Sequence, residues 1–597
     1  MITPRTGALL CRRTTFWTIV IIAFAQATSL AFAGQPFSAQ NLAGLWTSRK
    51  AFGPEVKGDL TIDQTNGTWH AEIAGHTLAA ELKGTQITFI LPDELGSLRG
   101  RYVGGKLRGF WIQPKSLSNG VVYATPVEFT KVRENCWRGR VCPKEDALTF
   151  YLPIKVNRDG SLGAYLRNPE RNLGRFIDVQ HVSCDGRTVK LLGFPSSRDS
   201  SESVLLQGMY DPDMDLLSIS IPQAGGTFDF HRASAADEKK FYPRGPQPIA
   251  YTYTPPPFED DGWSVSTLKE VGISQDSIAS FLQMLINMPM GSVHTSDIHG
   301  FLLARHGKLV VEEYFHGYHR EELHDTRSAA KSLTSLMTGA AMFQGTPPSL
   351  STPIYQTMYG SAEAKSVDSL KSAITVENLL TMTSGLDCDD GDPDSKGNED
   401  VMQEQSDQSD WYRYTLDQRM VRRPGERAVY GSANANLLGG VLAKVTDTWL
   451  PDLFRDLIAE PLKIRRYAIN LMPTLQAYMG GGIQFQPRDF MKLGQVMIDG
   501  GRWHGKEIVT AGWAKKSIQP LYDLSGIKYG YLWWVTDYPY KDRTVRAFFA
   551  GGNGGQVVIG VPELDLVVAF YGGNYSDKVM FVPQSIFVPK YILPAVN

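Results

Sequence analysis

The sequence predicts an α+β protein, with an all-β first part followed by a second part that mixes strands and helices. Residues 34 to about 235 carry short alternating strand patterns broken by Gly, Asn and Asp, whereas helical patterns begin only after residue 260. A hairpin pattern opens the second part and three strand patterns close it. The two ends of this part are therefore expected to share one antiparallel sheet.

The composition is that of an ordinary globular protein, since 42% of the residues are hydrophobic and 20% are charged. The 597 residues are enough for three or four domains. A net charge of −2 and the absence of basic runs argue against a nucleic-acid-binding protein.

Residues 1–33 have the pattern of a secretory signal peptide. Arg5, Arg12 and Arg13 precede an apolar stretch at 16–25, and an A-x-A cleavage site follows at 31–33. This pattern predicts a periplasmic or secreted protein. The alternative is an uncleaved segment that anchors the chain in a membrane.

The all-β part divides into two predicted units, residues 34–145 and residues 146–240. Both contain runs of strands that end in a Gly-aromatic segment, and lipocalin-like barrels are one form they could take. The interior of such a barrel is either a ligand site or simply a packed core. In an oxidising compartment Cys136 and Cys142 could close a short loop, but the four cysteines beyond residue 33 make no disulfide framework and no zinc site.

A Pro-rich linker at 241–260 leads to the last predicted domain, residues 261–597. Its predicted elements come in the order hairpin, helices, strands. They are a hairpin at 301–314 turning at His306-Gly307, a helix from about Ser328, a helix capped by Thr375 and ending at Gly385, a helix at 433–444, and strands at 544–550, 556–561 and 566–572.

Ser328 and Lys331 are the strongest candidates for chemistry. Residues three apart on a helix share a face, so the hydroxyl and the amine would lie together as a nucleophile and a proton acceptor. A helix that begins near Ser328 would also place its positive end there, which would stabilise an oxyanion and lower the pKa of the amine.

Two further segments could complete such a site. Tyr430 precedes the 433–444 helix, where a phenol could relay protons, although a tyrosine in this position is more often a packing residue. The stretch 550–556 contains four glycines, which would let a ligand approach a strand edge and receive a backbone N–H. The alternative is a plain Gly-rich hairpin.

These motifs, in this order, resemble the serine β-lactamase and penicillin-binding-protein superfamily. The resemblance is to its class C-like branch of esterases, D-amino-acid peptidases and 6-aminohexanoate-dimer hydrolases, and it covers about residues 260–597. Further matching motifs lie at 379–385, 480–483, 487–489, 500–503 and 552–565. No G-x-S-x-G motif supports an α/β-hydrolase.

The resemblance implies a β-lactamase-like fold, an antiparallel sheet flanked by helices with a mostly helical subdomain, and acyl transfer without a metal or cofactor. Ser328 would be the nucleophile, with Lys331 and Tyr430 moving its proton; which of these two is the base stays open. The backbone N–H groups of Ser328 and of about Gly552 would hold the oxyanion. Other residues expected at the substrate or the oxyanion are Gly551, Asn553, Ser432 and Trp411, the last of which could equally be a packing residue.

Two departures from the family pattern bear on the substrate. The last strand has Phe549-Ala550-Gly551 where many members have a Lys or His that grips a substrate carboxylate, although Arg546 or Arg488 could substitute. The usual Tyr-x-Asn is Tyr-x-Ser, with Ser432 as the shortened polar residue. Both changes favour an esterase or amide hydrolase that acts on a small or peptide-like substrate over a dedicated β-lactamase.

Some alternatives remain. The acidic loop at 387–400 could bind Ca²⁺, but its spacing misses the usual pattern and favours a solvated loop. A penicillin-recognising sensor that stays acylated, or a non-catalytic scaffold, would have the same fold. The sequence does not determine the substrate or the oligomeric state.

Overall fold

The structure is a computed structural model that describes residues 39–53, 56–115, 121–145, 147–170, 177–195, 199–345, 348–403 and 409–597. The predicted signal peptide and its cleavage site lie outside these residues. Among the described residues, no helix has both the length and the apolar character needed to cross a lipid bilayer.

The first part of the chain contains β-strands and one short helix. In chain order they are β1 Gly44–Ala51, β2 Gly58–Thr65, β3 Thr68–Ile73, β4 His76–Lys83, β5 Gln86–Ile90, β6 Ser97–Val103, β7 Lys106–Gln113, β8 Val122–Arg133, β9 Cys136–Val141, β10 Ala147–Val156, β11 Leu162–Leu166, β12 Ile177–Val179, β13 His181–Asp185, β14 Thr188–Gly193, β15 Ser203–Asp211, β16 Leu216–Ile221, β17 Gly226–Arg232 and helix α1 Ala235–Phe241.

Strands β2 to β9 form a closed antiparallel barrel of eight strands. Each strand pairs with the next, and β9 closes the ring by pairing with both β2 and β8. Inward-facing residues such as Trp69, Trp111 and Trp137 fill its interior as one apolar core. The barrel therefore has a packed core, the second of the two predicted possibilities.

Strands β10 to β17 belong to a second antiparallel sheet, which curls around its own apolar core. This sheet also contains β1, which pairs with β10 on one side and β17 on the other. The predicted boundary between 145 and 146 therefore does not follow the sheets, because the barrel is inserted between two strands of the second unit.

The idea of a Cys136–Cys142 loop is wrong. The two residues lie at the start and just beyond the end of the same extended strand, β9, and all four cysteines in the described residues are free thiols. A strand rises about 3.3 Å per residue, so these two sulfur atoms are too far apart to bond.

The C-terminal domain, residues 261–597, follows a segment that has no helix or strand between 242 and 263. Its strands are β18 Ser264–Val265, β19 Ile298–Arg305, β20 Lys308–Tyr314, β21 His324–Asp325, β22 Tyr467–Leu471, β23 Ile483–Phe485, β24 Arg502–Trp503, β25 Lys506–Glu507, β26 Tyr522–Leu524, β27 Ile527–Tyr529, β28 Trp534–Tyr540, β29 Arg543–Gly552, β30 Gln556–Val561 and β31 Leu566–Gly572. Its α-helices are α2 Gln275–Ile286, α3 Lys331–Phe343, α4 Ile354–Tyr359, α5 Ser361–Ala364, α6 Ser369–Ser372, α7 Val376–Leu380, α8 Glu399–Gln403, α9 Trp411–Asp417, α10 Ser432–Thr446, α11 Leu450–Phe454, α12 Pro487–Ile498 and α13 Ala511–Ser517.

The two ends of this domain share one nine-stranded sheet, as predicted. The β19–β20 hairpin turns at His306 and Gly307, both of which have positive φ as a tight hairpin turn requires. Strand β19 pairs antiparallel with β31, the last strand of the chain, so the first and last segments of the domain lie side by side. Every residue of β19, β30 and β31 is buried.

Helices cover both faces of this sheet, which explains why its central strands are continuous apolar runs. Helix α2 and the C-terminal helical segment Pro583–Ile592 pack on one face, and α3 and α12 pack on the other. Helices α4 to α11 form the mostly helical subdomain beside the sheet. The predicted α+β fold of this domain is thereby confirmed.

The barrel is joined to the C-terminal domain by a shared sheet and by a shared core. Strand β22 pairs with barrel strand β8, so the sheet continues from the barrel through β22 and β23 to β21. On β7, Trp111 points into the barrel, whereas its neighbour Phe110 is fully buried in the apolar core of the C-terminal domain, 5.3 Å between ring centroids from Trp449.

We expect Phe110→Ala to destabilise the C-terminal domain although the residue belongs to the barrel. Removing a fully buried phenylalanine costs about 3–5 kcal/mol in the free energy of unfolding, through lost apolar burial and the cavity that remains. Differential scanning calorimetry measures the shift of the transition. Ile90→Ala, at a 77% exposed barrel position, is the control; an equally small shift in both variants would contradict the shared core.

Candidate active site

The candidate nucleophile lies on a tight turn that leads into a buried helix. Residues Arg327–Ala330 form one 3-10 turn, and α3 begins at Lys331. The Lys331 Nζ donates to Ser328 Oγ at 2.9 Å and also to the carbonyl oxygen of Gly480. Arg327, directly before the serine, has a φ of +49°, a backbone conformation that is costly for a long side chain and typical of functional turns.

Tyr430 lies beside this pair. It precedes α10, and the Lys331 Nζ is 5.0 Å from the centroid of its ring. The other face of the ring stacks on Trp534, with the centroids 5.7 Å apart. The structure thus brings together the hydroxyl, the amine and the phenol from the three segments that the sequence singled out.

The pKa of Lys331 is raised, which is the opposite of the predicted direction. Burial opposes the charge of this amine, but the Tyr430 phenol and the carboxylates of Glu399 and Asp390 favour it more. Tyr430 is the largest of the groups that raise this pKa, and the two carboxylates come from a distant loop. Lys331 is therefore an ammonium ion at neutral pH.

The acidic loop at 387–400 is folded against the site and is not simply a solvated loop. Asp390 Oδ2 accepts hydrogen bonds from the backbone N–H and from the hydroxyl of Ser432, both at 2.7 Å, and its Oδ1 accepts one from the backbone N–H of Glu399 at 2.9 Å. Burial, together with the charge of Glu399, raises the pKa of Asp390 to about 6. Glu399 accepts a hydrogen bond from the Tyr478 hydroxyl at 2.6 Å.

The glycine-rich strand edge lies against the nucleophile turn. A Cβ atom on Gly552 would be 2.3 Å from the carbonyl oxygen of Thr326 and 3.0 Å from the backbone nitrogen of Ala329, so only glycine fits there. The end of β29 therefore approaches the backbone on both sides of Ser328. Gly551, one residue earlier, packs beside Phe549 and Trp534.

Three other predicted residues face elsewhere. Ser432 is fully buried and its hydroxyl binds Asp390, so it faces the acidic loop. Asn553 Oδ1 accepts from the backbone N–H of Ser576 at 2.7 Å. Trp411 packs against Tyr478 in a T-shaped arrangement, with the ring centroids 5.7 Å apart.

The two arginines considered as substitutes for the missing cation are engaged in other ion pairs. Arg488 is buried and binds Glu312 at 2.7 Å and Asp261 at 3.1 Å. Arg546 lies at an exposed position and binds Asp537 at 3.0 Å. The cation next to the serine is Arg327, whose side chain is 36% exposed and 3.6 Å from Asp325.

Sequence reasoning did not find Asp390, Glu399, Tyr478, Trp534 or the Gly480 carbonyl. Asp390 and Glu399 belong to an acidic stretch whose carboxylates have different environments in the structure, so the sequence alone did not distinguish these two from their neighbours. The triple glycine at 480–482 was noticed only as a motif; in the structure, a Cβ on Gly481 would come within 3.5 Å of the Ser328 nitrogen. Within the described ranges, no group of three or more His, Cys, Asp or Glu residues is placed to hold a metal ion.

Comparison with known proteins shows which family residues 298–572 resemble. Residues 298–572 match the family model described as Beta-lactamase. Among curated proteins, a 6-aminohexanoate-dimer hydrolase from Paenarthrobacter ureafaciens is 24% identical over 226 residues, which cover 36% of this chain and 55% of the relative. The match thus spans about half the length of that relative.

Similar solved structures include a penicillin-binding protein from Bacillus halodurans, with a TM-score of 0.39 and 18% identity over 49% of this chain and 96% of the other. A D-stereospecific amidohydrolase from Streptomyces sp. has a TM-score of 0.39 and 15% identity over 49% of this chain and 95% of the other. The family match covers the shared sheet, the serine turn and the glycine-rich edge. Residues 298–572 are therefore similar to the β-lactamase family, and this similarity agrees with the serine β-lactamase and penicillin-binding-protein superfamily that the motifs predict.

Proposed function

We propose that this protein is an exported serine hydrolase that cleaves an ester or amide bond through an acyl-enzyme on Ser328. The observation that carries the proposal is the 2.9 Å contact between Lys331 Nζ and Ser328 Oγ, in a turn that Gly552 closes from the other side. The name of the curated relative, a 6-aminohexanoate-dimer hydrolase, supports the substrate class. The proposed export rests on the signal pattern in residues 1–33.

In the acylation step, Ser328 Oγ attacks the carbonyl carbon and loses its proton to the Lys331–Tyr430 pair. The pair acts as one proton acceptor, since Lys331 Nζ binds Ser328 Oγ at 2.9 Å and lies 5.0 Å from the centroid of the Tyr430 ring. The backbone N–H groups of Ser328 and Gly552 hold the negative oxygen of the tetrahedral intermediate. Tyr430 then gives its proton to the leaving alcohol or amine, and the acyl-enzyme remains.

In the second step a water molecule takes the place of the leaving group. Tyr430 accepts a proton from this water while the hydroxide attacks the acyl carbonyl, and the same two N–H groups hold the oxyanion. When the intermediate collapses, the carboxylic acid leaves and Ser328 regains its proton. Every proton is returned within the cycle, so the reaction requires no metal and no cofactor.

The wall of the site is mostly aromatic. Tyr430 stacks on Trp534, which in turn stacks on Phe549 with centroids 6.1 Å apart. Strand β29 has Phe549 and Ala550 before Gly551, where many members of the family have a Lys or His, so a neutral or apolar acyl group suits this wall better than a penicillin-type carboxylate does. This supports esters and linear amides as substrates.

We expect Ser328→Ala to abolish turnover of p-nitrophenyl esters and labelling by a fluorophosphonate probe, because Ser328 Oγ is the proposed nucleophile. Steady-state assays and mass spectrometry of the probe adduct measure the two effects. Ser335→Ala removes a buried hydroxyl from the same helix and is the control. Undiminished turnover in the Ser328 variant would exclude this mechanism, and a stable penicillin adduct without turnover in the wild type would favour the sensor.

We expect Gly552→Ala to lower kcat by roughly 10²-fold, comparable to the loss of one oxyanion donor. The new Cβ would meet the Thr326 carbonyl oxygen at 2.3 Å and push the strand edge away from Ser328. Esterase kinetics measure kcat for each variant. Gly512→Ala, on helix α13, should keep the wild-type kcat, because the new Cβ would make only an ordinary contact with Thr510 Oγ1 at 3.9 Å. Equal kcat values in both variants would show that Gly552 is not part of the oxyanion site.

We expect kcat to fall as the pH is lowered through about 6, the raised pKa of Asp390. Below this pH the carboxyl takes up a proton, so it no longer balances the charge of Lys331 and is a weaker acceptor for Ser432. Asp390→Asn, uncharged at every pH, should have a low kcat at pH 7.5 and lack this acidic limb. Asp387→Asn changes a carboxylate in the same loop that binds Arg419, and this variant should keep the fall of kcat at acidic pH. If both variants lost this fall, Asp390 would not be the group responsible for it.

A further inference from the structure

A buried ion pair joins the second β-unit to the C-terminal domain. Arg167 Nη2 lies 2.7 Å from Asp297 Oδ2, and the two side chains are 1% and 2% exposed. Arg167 is held in its own unit by two backbone hydrogen bonds with Tyr151, at 2.9 and 3.0 Å. Apolar contacts surround the pair, among them Tyr165, whose hydroxyl donates to the Met290 carbonyl at 2.5 Å.

Asp297 is also the centre of a histidine cluster. His316 Nε2 is 3.0 Å from its Oδ1, and His299 Nε2 is 3.4 Å from its Oδ2. Burial would raise the pKa of Asp297, but Arg167, His316 and His299 together lower it well below the ordinary range. Burial lowers the pKa of His316 to about 4, so it is neutral at pH 7. Arg167 therefore supplies a permanent positive charge beside this carboxylate.

One chain of contacts leads from Asp297 to the nucleophile turn. His299 Nδ1 lies 2.8 Å from Nε2 of His324, on strand β21. The next residue, Asp325, accepts a hydrogen bond from the backbone N–H of Arg327 at 2.9 Å. Arg327 directly precedes Ser328, so this chain ends at the first proposed oxyanion donor.

A second chain leads from the backbone of Asp297 to the glycine-rich edge. The Asp297 N–H donates to Asn574 Oδ1 at 2.7 Å, and Asn574 Nδ2 donates to the Asp297 carbonyl at 3.0 Å. The Asn574 N–H donates to the Gly554 carbonyl at 3.0 Å. Gly554 is in the turn that follows Gly552, so this chain ends two residues from the second proposed donor.

We propose that Arg167 is a positioning residue for catalysis. Through Asp297 it fixes the positions of the two backbone segments that carry the proposed oxyanion donors, Ser328 and Gly552. The second β-unit thus completes the active site of the C-terminal domain, although none of its residues touches Ser328 in the contacts described. This inference rests on the proposed hydrolase function. Without Arg167 the buried carboxylate has no compensating charge, so it takes up a proton or draws the histidines towards itself, and both chains of contacts shift.

The test uses the full-length protein and esters that the wild type hydrolyses. We expect Arg167→Met to lower kcat per active site by roughly 10²-fold, because small displacements of reacting groups have effects of this size. KM should change less than kcat, since the substitution does not touch the aromatic wall formed by Tyr430, Trp534 and Phe549. Titration of the serine with a fluorophosphonate probe gives the number of active sites, so unfolded molecules do not enter kcat. Arg167→Lys, which keeps the charge, should recover part of the loss.

Arg232→Met is the matched control. Arg232 belongs to the same β-unit, but its contacts stay within that unit: Asp215, the carbonyl of Ala43, and the ring of Trp46. We expect this variant to lower the melting temperature and keep the kcat of the wild type. A wild-type kcat per titrated site in Arg167→Met, with only a lower melting temperature, would overturn the proposal.

A double variant covers the case in which Arg167→Met does not fold. Arg167→Met with Asp297→Asn removes both charges and leaves no uncompensated carboxylate. The proposal expects kcat to stay low, because the amide cannot hold His316 and His299 as the carboxylate does; a wild-type kcat would show a purely structural ion pair. A wild type that neither turns over esters nor reacts with the probe would instead refute the hydrolase itself.

Discussion

The antiparallel pairing of β19 with β31 is the contact on which the rest of the C-terminal domain depends. It joins the first strand of the domain to the last one, and it therefore brings the serine turn that follows β21 next to the end of β29. The pairing is stabilised by burial on both faces, since helices cover the sheet on either side. A site built from distant segments needs such a frame, because no local interaction could hold Ser328 and Gly552 together.

Local patterns were sufficient to predict the parts of the site that are close in sequence. The spacing of Ser328 and Lys331 predicted their contact, and the caps and apolar runs predicted the hairpin, the helix α10 and the final strands close to their observed bounds. The direction of the Lys331 pKa could not be predicted, because it depends on Tyr430 and also on Glu399 and Asp390, which only the folded loop brings near. Their neighbours in sequence have the same charge, so composition carried no signal to separate them.

Long-range strand pairing was the second feature that the sequence could not predict. The strand β1 has the same alternating pattern as the barrel strands that follow it, and nothing local indicates that its partners are β10 and β17. A strand takes the partners that bury its apolar face, and here they lie on the far side of an inserted barrel. The sequence therefore predicted that there are two β-units, but it did not predict which residues belong to each.

The N-terminal units are integral to the enzyme that we propose, because they share both apolar and charged contacts with its C-terminal domain. Phe110 adds apolar burial, which is non-directional and tolerates small shifts. The Arg167–Asp297 pair is different, since a buried ion pair is stable only when its geometry is good and its partners are complete. A cost of this kind is hard to explain for a unit that only stabilises the fold, because apolar residues of similar size would do as well. Its value lies in fixing one arrangement of the groups around Asp297, and those groups lead to both sides of Ser328.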